Sequence, residues 1–283
     1  MQSWDLDRKI QVTTARIMEW YEHYNGLVYV AFSGGKDSTV LLDLVRRIYP
    51  DVPAVFCDTG LEFPEIRQFA MSVNNVVVLR PEMNFKKVIE TYGYPIVSKR
   101  VADTVEYGHK PGSFRWKELH GEIIRSNGTK SEFNCEKWCY LLDAPFKVSS
   151  RCCNIMKKKP MKKYSKETGR VPIIATMADE SRSRRSVWMS TGCNAFQKKS
   201  PSSQPMSFWT ENDVLEYIHT YNIPYASVYG DIVPCGGGVD NDRRKKNRVC
   251  VLRFWRSFGE VSKPFSAAQT VSSKAVGVLH ETC

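Results

Sequence analysis

Leu27-Val28-Tyr29-Val30-Ala31-Phe32-Ser33-Gly34-Gly35-Lys36-Asp37-Ser38-Thr39 decides the fold. Its first six residues are a short, unbroken, β-rich apolar run, the pattern of a strand buried on both faces of a parallel sheet. A glycine turn follows, and residues 37–48 read as a helix. Downstream the alternation repeats, with strand 54–57, helix 64–73, strand 75–79 and helix 85–92. Such spacing implies right-handed crossovers and a sheet covered by helices. A later strand, 171–176, is expected to join the same sheet, and residues 6–20 ahead of it all form an amphipathic helix. Gly108, Pro111, Gly112 and Gly121 interrupt residues 94–150, which read as helices and loops beside the sheet. Residues 209–218 form a capped helix, with Thr210 as N-cap and Asp213 three positions on. Beyond Gly230 neither periodicity holds, and there is no tandem repeat. The fold class is therefore α/β, a doubly wound, Rossmann-like parallel sheet with a helical substrate-side region. The segments are an N-terminal helix over 1–26, one domain over 27–230 and an irregular tail over 231–283.

The 283 residues, 42% of them hydrophobic, suffice for a sizeable core. No apolar run approaches the roughly 20 residues of a membrane span, and Met1-Gln2-Ser3-Trp4-Asp5-Leu6-Asp7 has no export-signal character, so a cytoplasmic protein is expected. In that compartment nine cysteines read as thiols, metal ligands or redox groups. The formal charge is +11, of which residues 242–283 hold +6, nine Lys and Arg against three Asp and Glu. A basic balance attracts phosphate of any kind, which leaves nucleic acid open without requiring it.

The turn at Ser33 to Thr39 carries the chemistry. Gly34 and Gly35 let backbone approach a ligand, and the helix start offers unpaired N–H groups and a positive dipole end to phosphate oxygens. Ser33, Ser38 and Thr39 add hydroxyls, Lys36 a charge and Asp37 a carboxylate. Two glycines alone would fit an ordinary capped turn; the whole heptapeptide after a buried strand points to anion binding. The spacing is not that of G-x-x-x-x-G-K-[ST]. It resembles the S-G-G-x-D-S pyrophosphate loop (PP-loop) of ATP pyrophosphatases and of the phosphoadenosine phosphosulfate (PAPS) reductase family. The resemblance implies a PP-loop sheet gripping the anionic tail of an adenine nucleotide.

Further segments extend this likeness across residues 27–229. Cys57-Asp58-Thr59-Gly60-Leu61-Glu62-Phe63-Pro64 is similar to the family's D-T-G-x-x-F, which implies that Asp58 and Thr59 face the nucleotide from the end of the second strand. Arg151-Cys152-Cys153-Asn154-Ile155-Met156-Lys157-Lys158-Lys159-Pro160 resembles C-C-x-x-x-K/R-x-x-P. Adjacent thiols are poorly placed for an ordinary disulfide and suit a soft metal or a redox role better. Lys157 to Lys159 read either as phosphate partners or as a solvated face. Ala178-Asp179-Glu180-Ser181-Arg182-Ser183-Arg184 resembles A-x-E-S-x-x-R, where a guanidinium fork pairs two oxygens of a phosphate or sulfate; Arg184 holds the motif spacing and Arg185 does not. Gly192-Cys193-Asn194 adds a matching cysteine, whereas residues 205–209 and 222–225 match mainly as packing. Carried over, the likeness makes Asp37, Arg184 and Cys153 catalytic candidates. Ser33, Gly34, Gly35, Lys36, Asp37, Ser38, Thr39, Asp58, Thr59, Glu180, Ser181 and Arg184 become nucleotide-binding candidates, and Cys152, Cys153 and Cys193 metal candidates. Cys135 and Cys139, spaced C-x-x-x-C, are a weak metal signal, and the five histidines show no ligand or triad spacing.

At the C-terminus the chain departs from the pattern. The branch it most resembles has an R-T-G-C-x-F-C segment donating two cysteines to an iron–sulfur centre; here residues 242–255 read DRRKKNRVCVLRFW. Codons shifted by one base permit T-G-E-K-R-T-G-C-V-F-C, so the chain is read as leaving its ancestral frame near Asn241 or Asp242, with the basic tail as a product of that shift. The four-thiolate set for an iron–sulfur cluster is then incomplete, and no E-C-G-x-H-like redox cysteine is present. The first expectation is a PAPS reductase-family enzyme of sulfur metabolism or sulfur transfer, binding PAPS or ATP, with a thiol donor. The rival is an ATP pyrophosphatase with Mg²⁺ that adenylates in order to thiolate nucleic acid or install phosphorothioate. The third reading is an inactive nucleotide-binding remnant. The partners implied are an adenine nucleotide, then nucleic acid or a thiol-donor protein; no membrane is expected, and a homo-oligomer is compatible with all three readings.

Overall fold

The computed structural model describes residues 1–235 and 238–241, with side chains through Ile232. In chain order its elements are α1 (Leu6–His23), β1 (Val28–Phe32), α2 (Lys36–Arg46), β2 (Ala54–Cys57), α3 (Pro64–Ser72), β3 (Val76–Leu79), α4 (Phe85–Tyr92), α5 (Lys99–Tyr107), α6 (Phe114–Leu119), α7 (Lys159–Thr168), β4 (Val171–Ile174), α8 (Arg182–Thr191), β5 (Asn194–Ala195), β6 (Ser202–Ser203), α9 (Glu211–Tyr221), β7 (Ile232–Cys235) and β8 (Gly238–Asn241). These residues fall into two compact units, Met1–Arg80 with 160–241, and Pro81–Lys159.

The first unit holds a mostly parallel sheet in the order β3-β2-β1-β4-β6-β5, with β5 antiparallel. Val30 lies opposite Ala54 on one side of β1, and Val28 opposite Val171 on the other. Val28, Val30, Phe32, Phe56 and Ile173 are buried, as an apolar run between two helical layers requires. The chain reverses its direction of winding between β1 and β4, so the carboxyl ends of those strands flank a crevice of the kind in which open α/β sheets bind ligands. This is the expected α/β class, and the helices and strands of residues 6–92 fall within a few residues of their expected bounds.

Three differences have physical causes. β4 stops at Ile174, where the Thr176 amide turns back to the Ile174 carbonyl at 2.9 Å. β5 and β6 are two residues each, too short for a period-2 pattern to register. β7 and β8 pair as an antiparallel hairpin where the sequence shows no periodicity. The tail reading, from Asp242 onward, lies outside the described residues.

One side chain inverts its usual behaviour. Lys9, 1% exposed, donates to both Asp213 carboxylate oxygens at 2.8 and 2.7 Å, tying α1 to the start of α9. Asp213 also completes the expected capping box with Thr210. Beside it, the Trp209 indole donates to Thr13 Oγ1 at 2.8 Å, and Met206, Phe208 and Trp209 are fully buried, in keeping with the packing role read for 205–209.

The second unit packs Val101, Ala102, Val105, Leu119, Leu141 and Val148 into its own core. At its edge the buried Glu118 carboxylate pairs with Arg100 and with Arg115, the latter at 2.7 Å. Burial pushes Glu118 up, but the two guanidiniums prevail and its carboxyl sits below the ordinary range. Among the described residues no helix is long and apolar enough to cross a membrane.

Candidate functional site

β1 delivers the chain into the turn at its carboxyl end. Gly34 adopts φ +73°, and a Cβ there would stand 2.8 Å from Ile66 Cγ2 and 2.9 Å from the Ile66 carbonyl oxygen, so α3 admits only glycine. Gly35 then serves as N-cap of α2 without any side-chain cap, which leaves the first-turn amides of α2 to other acceptors. Ser33 and Ser38 share a hydroxyl hydrogen bond at 3.0 Å, and Ser38 and Thr39 both donate to the Gly35 carbonyl, at 2.9 and 3.0 Å. These bonds hold the turn closed from within, so its shape does not depend on a ligand.

Lys36 is buried, with Nζ 3.0 Å from Asp37 Oδ1 and 3.4 Å from Glu211 Oε1, and 5.7 Å over the Tyr229 ring. Burial alone would lower its pKa; Asp37 first, then Glu211 and Tyr229, outweigh it and raise the ammonium above its ordinary value. Lys36 therefore stays charged. Tyr229 Oη would lie 3.1 Å from a Cβ at Gly35, which makes this tyrosine a wall of the turn.

At the end of β2 the Asp58 amide donates to the Leu79 carbonyl at 2.8 Å, and its buried carboxylate accepts Arg67 Nε at 3.1 Å and Nη2 at 3.0 Å. That fork holds the Asp58 carboxyl below its usual range, against burial, with help from the Gly60 amide and from Arg80 at 3.9 Å. Thr59 donates its hydroxyl to Glu62 at 2.8 Å, and the Thr59 amide also donates to that carboxylate. These contacts shape the β2–α3 turn. A depressed folded-state pKa contributes stability that is present above the unfolded carboxyl value of about 3.9 and is lost as pH falls through the lower value. We expect thermal melts from neutral pH downward to show a shallower acid limb in Arg67→Met than in the natural protein; identical limbs would remove Arg67 as the cause.

Beyond β4 the Ala178 amide donates to the Ser207 carbonyl at 2.8 Å, and Ser181 caps α8 by accepting the Arg184 amide at 3.2 Å. Arg184 and Glu180 form an ion pair on an exposed surface. The A-x-E-S-x-x-R residues are thus gathered, with the arginine fork held by a neighbour of its own motif.

The cysteines fare differently. In the second unit the Ser149 hydroxyl, the Ser150 amide and Arg151 Nε all donate to Glu106, at 3.0, 2.9 and 2.5 Å, anchoring the approach to Cys152 and Cys153. Burial pushes the Cys152 thiol up, with Cys153 adding and Lys157 opposing. In the first unit burial likewise raises Cys193, against a hydrogen bond with Trp188. Burial similarly raises Cys135 and Cys139. Among the described residues no three His, Cys, Asp or Glu side chains gather as a metal-binding set.

Sequence reasoning missed Glu211, Tyr229 and Arg67, which lie 175, 193 and 9 positions from Lys36, Lys36 and Asp58 respectively. No local pattern marks the first two.

The model of one family, described as the phosphoadenosine phosphosulfate reductase domain, matches residues 27–105 and 125–249. Adenosine 5'-phosphosulfate reductase of Geobacillus kaustophilus (strain HTA426) is 26% identical over 212 residues, 74% of this chain and 70% of that protein. Uncharacterized protein MJ0973 of Methanocaldococcus jannaschii is 32% identical over 105 residues, 35% of this chain, and the chain spans only 25% of that relative. Among solved structures, the phosphoadenylyl-sulfate (PAPS) reductase from Candida auris in its phosphate complex aligns over 78% of this chain and 88% of that chain, with a TM-score of 0.43 and 14% identity.

Proposed function

Because the chain belongs to the phosphoadenosine phosphosulfate reductase domain family, we propose that it is an adenine-nucleotide enzyme of sulfur metabolism or sulfur transfer that takes PAPS or ATP by its anionic tail. One observation carries this reading: the uncapped start of α2, entered through a glycine that α3 permits at no other size, beside a buried and charged Lys36. The amides of the first turn of α2 donate to phosphate or sulfate oxygens, Ser33 and Ser38 hold the turn that presents them, Lys36 neutralises the charge, and Arg184 meets the far end of the anion. Such a site works by positioning and by charge placed in advance of the reaction. Asp37 is the carboxylate the turn offers to Mg²⁺ when the nucleotide is ATP, and Cys153 is the thiol candidate of the second unit.

The intact S-G-G-K-D-S-T turn favours a second reading, cleavage of ATP between its α and β phosphates in order to adenylate a sulfur acceptor. Calorimetry with PAPS and with ATP separates binding from both chemistries. Lys36→Met removes one charge-assisted contact, so affinity is expected to fall about 10- to 150-fold. Sulfite release from PAPS with a thiol donor selects reduction, and pyrophosphate release from ATP with Mg²⁺ selects adenylation. If neither nucleotide binds the natural protein, or Lys36→Met binds as tightly, the reading fails.

A further inference from the structure

Residues 1–241 carry a net +5, and the single stretch 157–168 supplies that whole amount, six lysines against Glu167. Everything else up to Asn241 is neutral in sum. The structure resolves this stretch into a helix with two faces. Tyr164 and Ser165 sit on the sheet, the tyrosine ring edge-on to Tyr29 at 5.2 Å and Ser165 Oγ sharing a hydrogen bond with Tyr29 Oη at 3.1 Å. Lys159, Lys162, Lys163 and Lys166 are all exposed, at the i, i+3, i+4 and i+7 spacing that makes one continuous face.

Among the described residues none of these four lysines forms an ion pair. Each has a like charge three or four positions away, an arrangement that weakens the helix bearing it. Glu167, four positions after Lys163, is the one acidic residue on this face, and it leaves the other three lysines without an acidic neighbour at that spacing. The charge therefore answers to something outside the helix. Among the described residues the exposed large apolar side chains include none from α7, so the face has nothing to insert into a lipid surface. It also has no arginine to fork onto a base edge or a peptide carboxylate. What remains is a row of point charges stepping along an axis by about 1.5 Å per residue, which suits successive phosphates of a polynucleotide strand.

We propose that the outer face of α7 is a docking surface for a nucleic-acid backbone, read without regard to sequence. The inference rests on the α7 lysines and not on the nucleotide-binding turn, so each can fail without the other. The test is fluorescence anisotropy of the full chain with a labelled RNA hairpin and with an unrelated DNA duplex, at salt from about 50 to 200 mM. A variant carrying Lys159→Gln, Lys162→Gln, Lys163→Gln and Lys166→Gln is measured alongside. Four phosphate contacts predict that this change in salt costs about 50- to 150-fold in affinity through them, and that the quadruple variant loses that part of the salt dependence on both probes. The basic residues beyond Asp242 are common to both proteins, so the difference isolates α7. A melting temperature no lower than that of the natural protein, and unchanged calorimetry with PAPS or ATP, show that the variant is folded. Equal binding by variant and natural protein, or lysine-dependent binding to phosphatidylserine vesicles with none to either nucleic acid, would overturn the proposal.

Discussion

Lys9→Met is expected to lower the free energy of unfolding by about 3–5 kcal/mol, the cost of leaving one charge of a buried pair without its partner. The ammonium is 2% exposed and the carboxylate of Asp213 9% exposed, at 2.7 Å. After the change, Asp213 keeps only the Thr210 amide and hydroxyl, at 2.6 and 2.8 Å. A mostly buried carboxylate is then left with two hydrogen bonds and no countercharge. Urea unfolding followed by tryptophan fluorescence measures this. Lys9→Met with Asp213→Leu together should be less destabilised than Lys9→Met alone, because the second change removes the stranded charge and leaves chiefly the loss of the Asp213 half of the capping box. A single-variant cost under about 1 kcal/mol would mean that the pair is hydrated, as surface pairs are.

Gly34→Ala is the second change with a large expected effect. Its Cβ would overlap Ile66 Cγ2 at 2.8 Å and the Ile66 carbonyl oxygen at 2.9 Å, with Ala70 Cβ at 3.2 Å, in a backbone held at φ +73°. A left-handed conformation costs an alanine about 1–2 kcal/mol. Forcing a methyl into packed α3 adds about 1–3 kcal/mol, since the carbonyl cannot yield without moving the helix. We expect a combined loss of about 2–5 kcal/mol and, because the turn is pushed away from α3, loss of nucleotide binding by calorimetry. Gly60 provides the control: it has φ +74°, but a Cβ there would meet no atom within 4 Å, so Gly60→Ala bears only the conformational part. Should Gly34→Ala be no worse than Gly60→Ala, the packing argument is wrong.

The two cases mark how far the sequence can be read. Val28 to Phe32 and the glycines behind it declare a buried strand and a tight turn, because both patterns are local: one needs an unbroken apolar run, the other a residue without a side chain. Thr210 and Asp213 declare a helix start for the same reason. Lys9 declares nothing. In sequence it is one of the chain's 41 Lys and Arg residues, and nothing in its neighbours names a partner for it. Only the packing of α1 against α9 buries it, and only a carboxylate 204 positions away makes that burial tolerable.

The candidate site divides in the same way. Ser33 to Thr39 is one segment, so its donors and its charge are legible from neighbours in the chain, whereas the place of β4 beside β1 comes from the strand order of the folded sheet. That Lys36 is held between Asp37, Glu211 and Tyr229, or that Asp58 is committed to Arg67, depends on which helices the crossovers bring alongside. The lysines of residues 157–166 are visible as composition, with two meanings open. The sequence alone determined the strand order's raw material, the turn and its chemistry, since these depend on periodicity and on residues adjacent in the chain. The tertiary structure decided which charges are buried, which are paired and which face outward, because solvent access and ion pairing are set by distances in space that no one-dimensional spacing encodes.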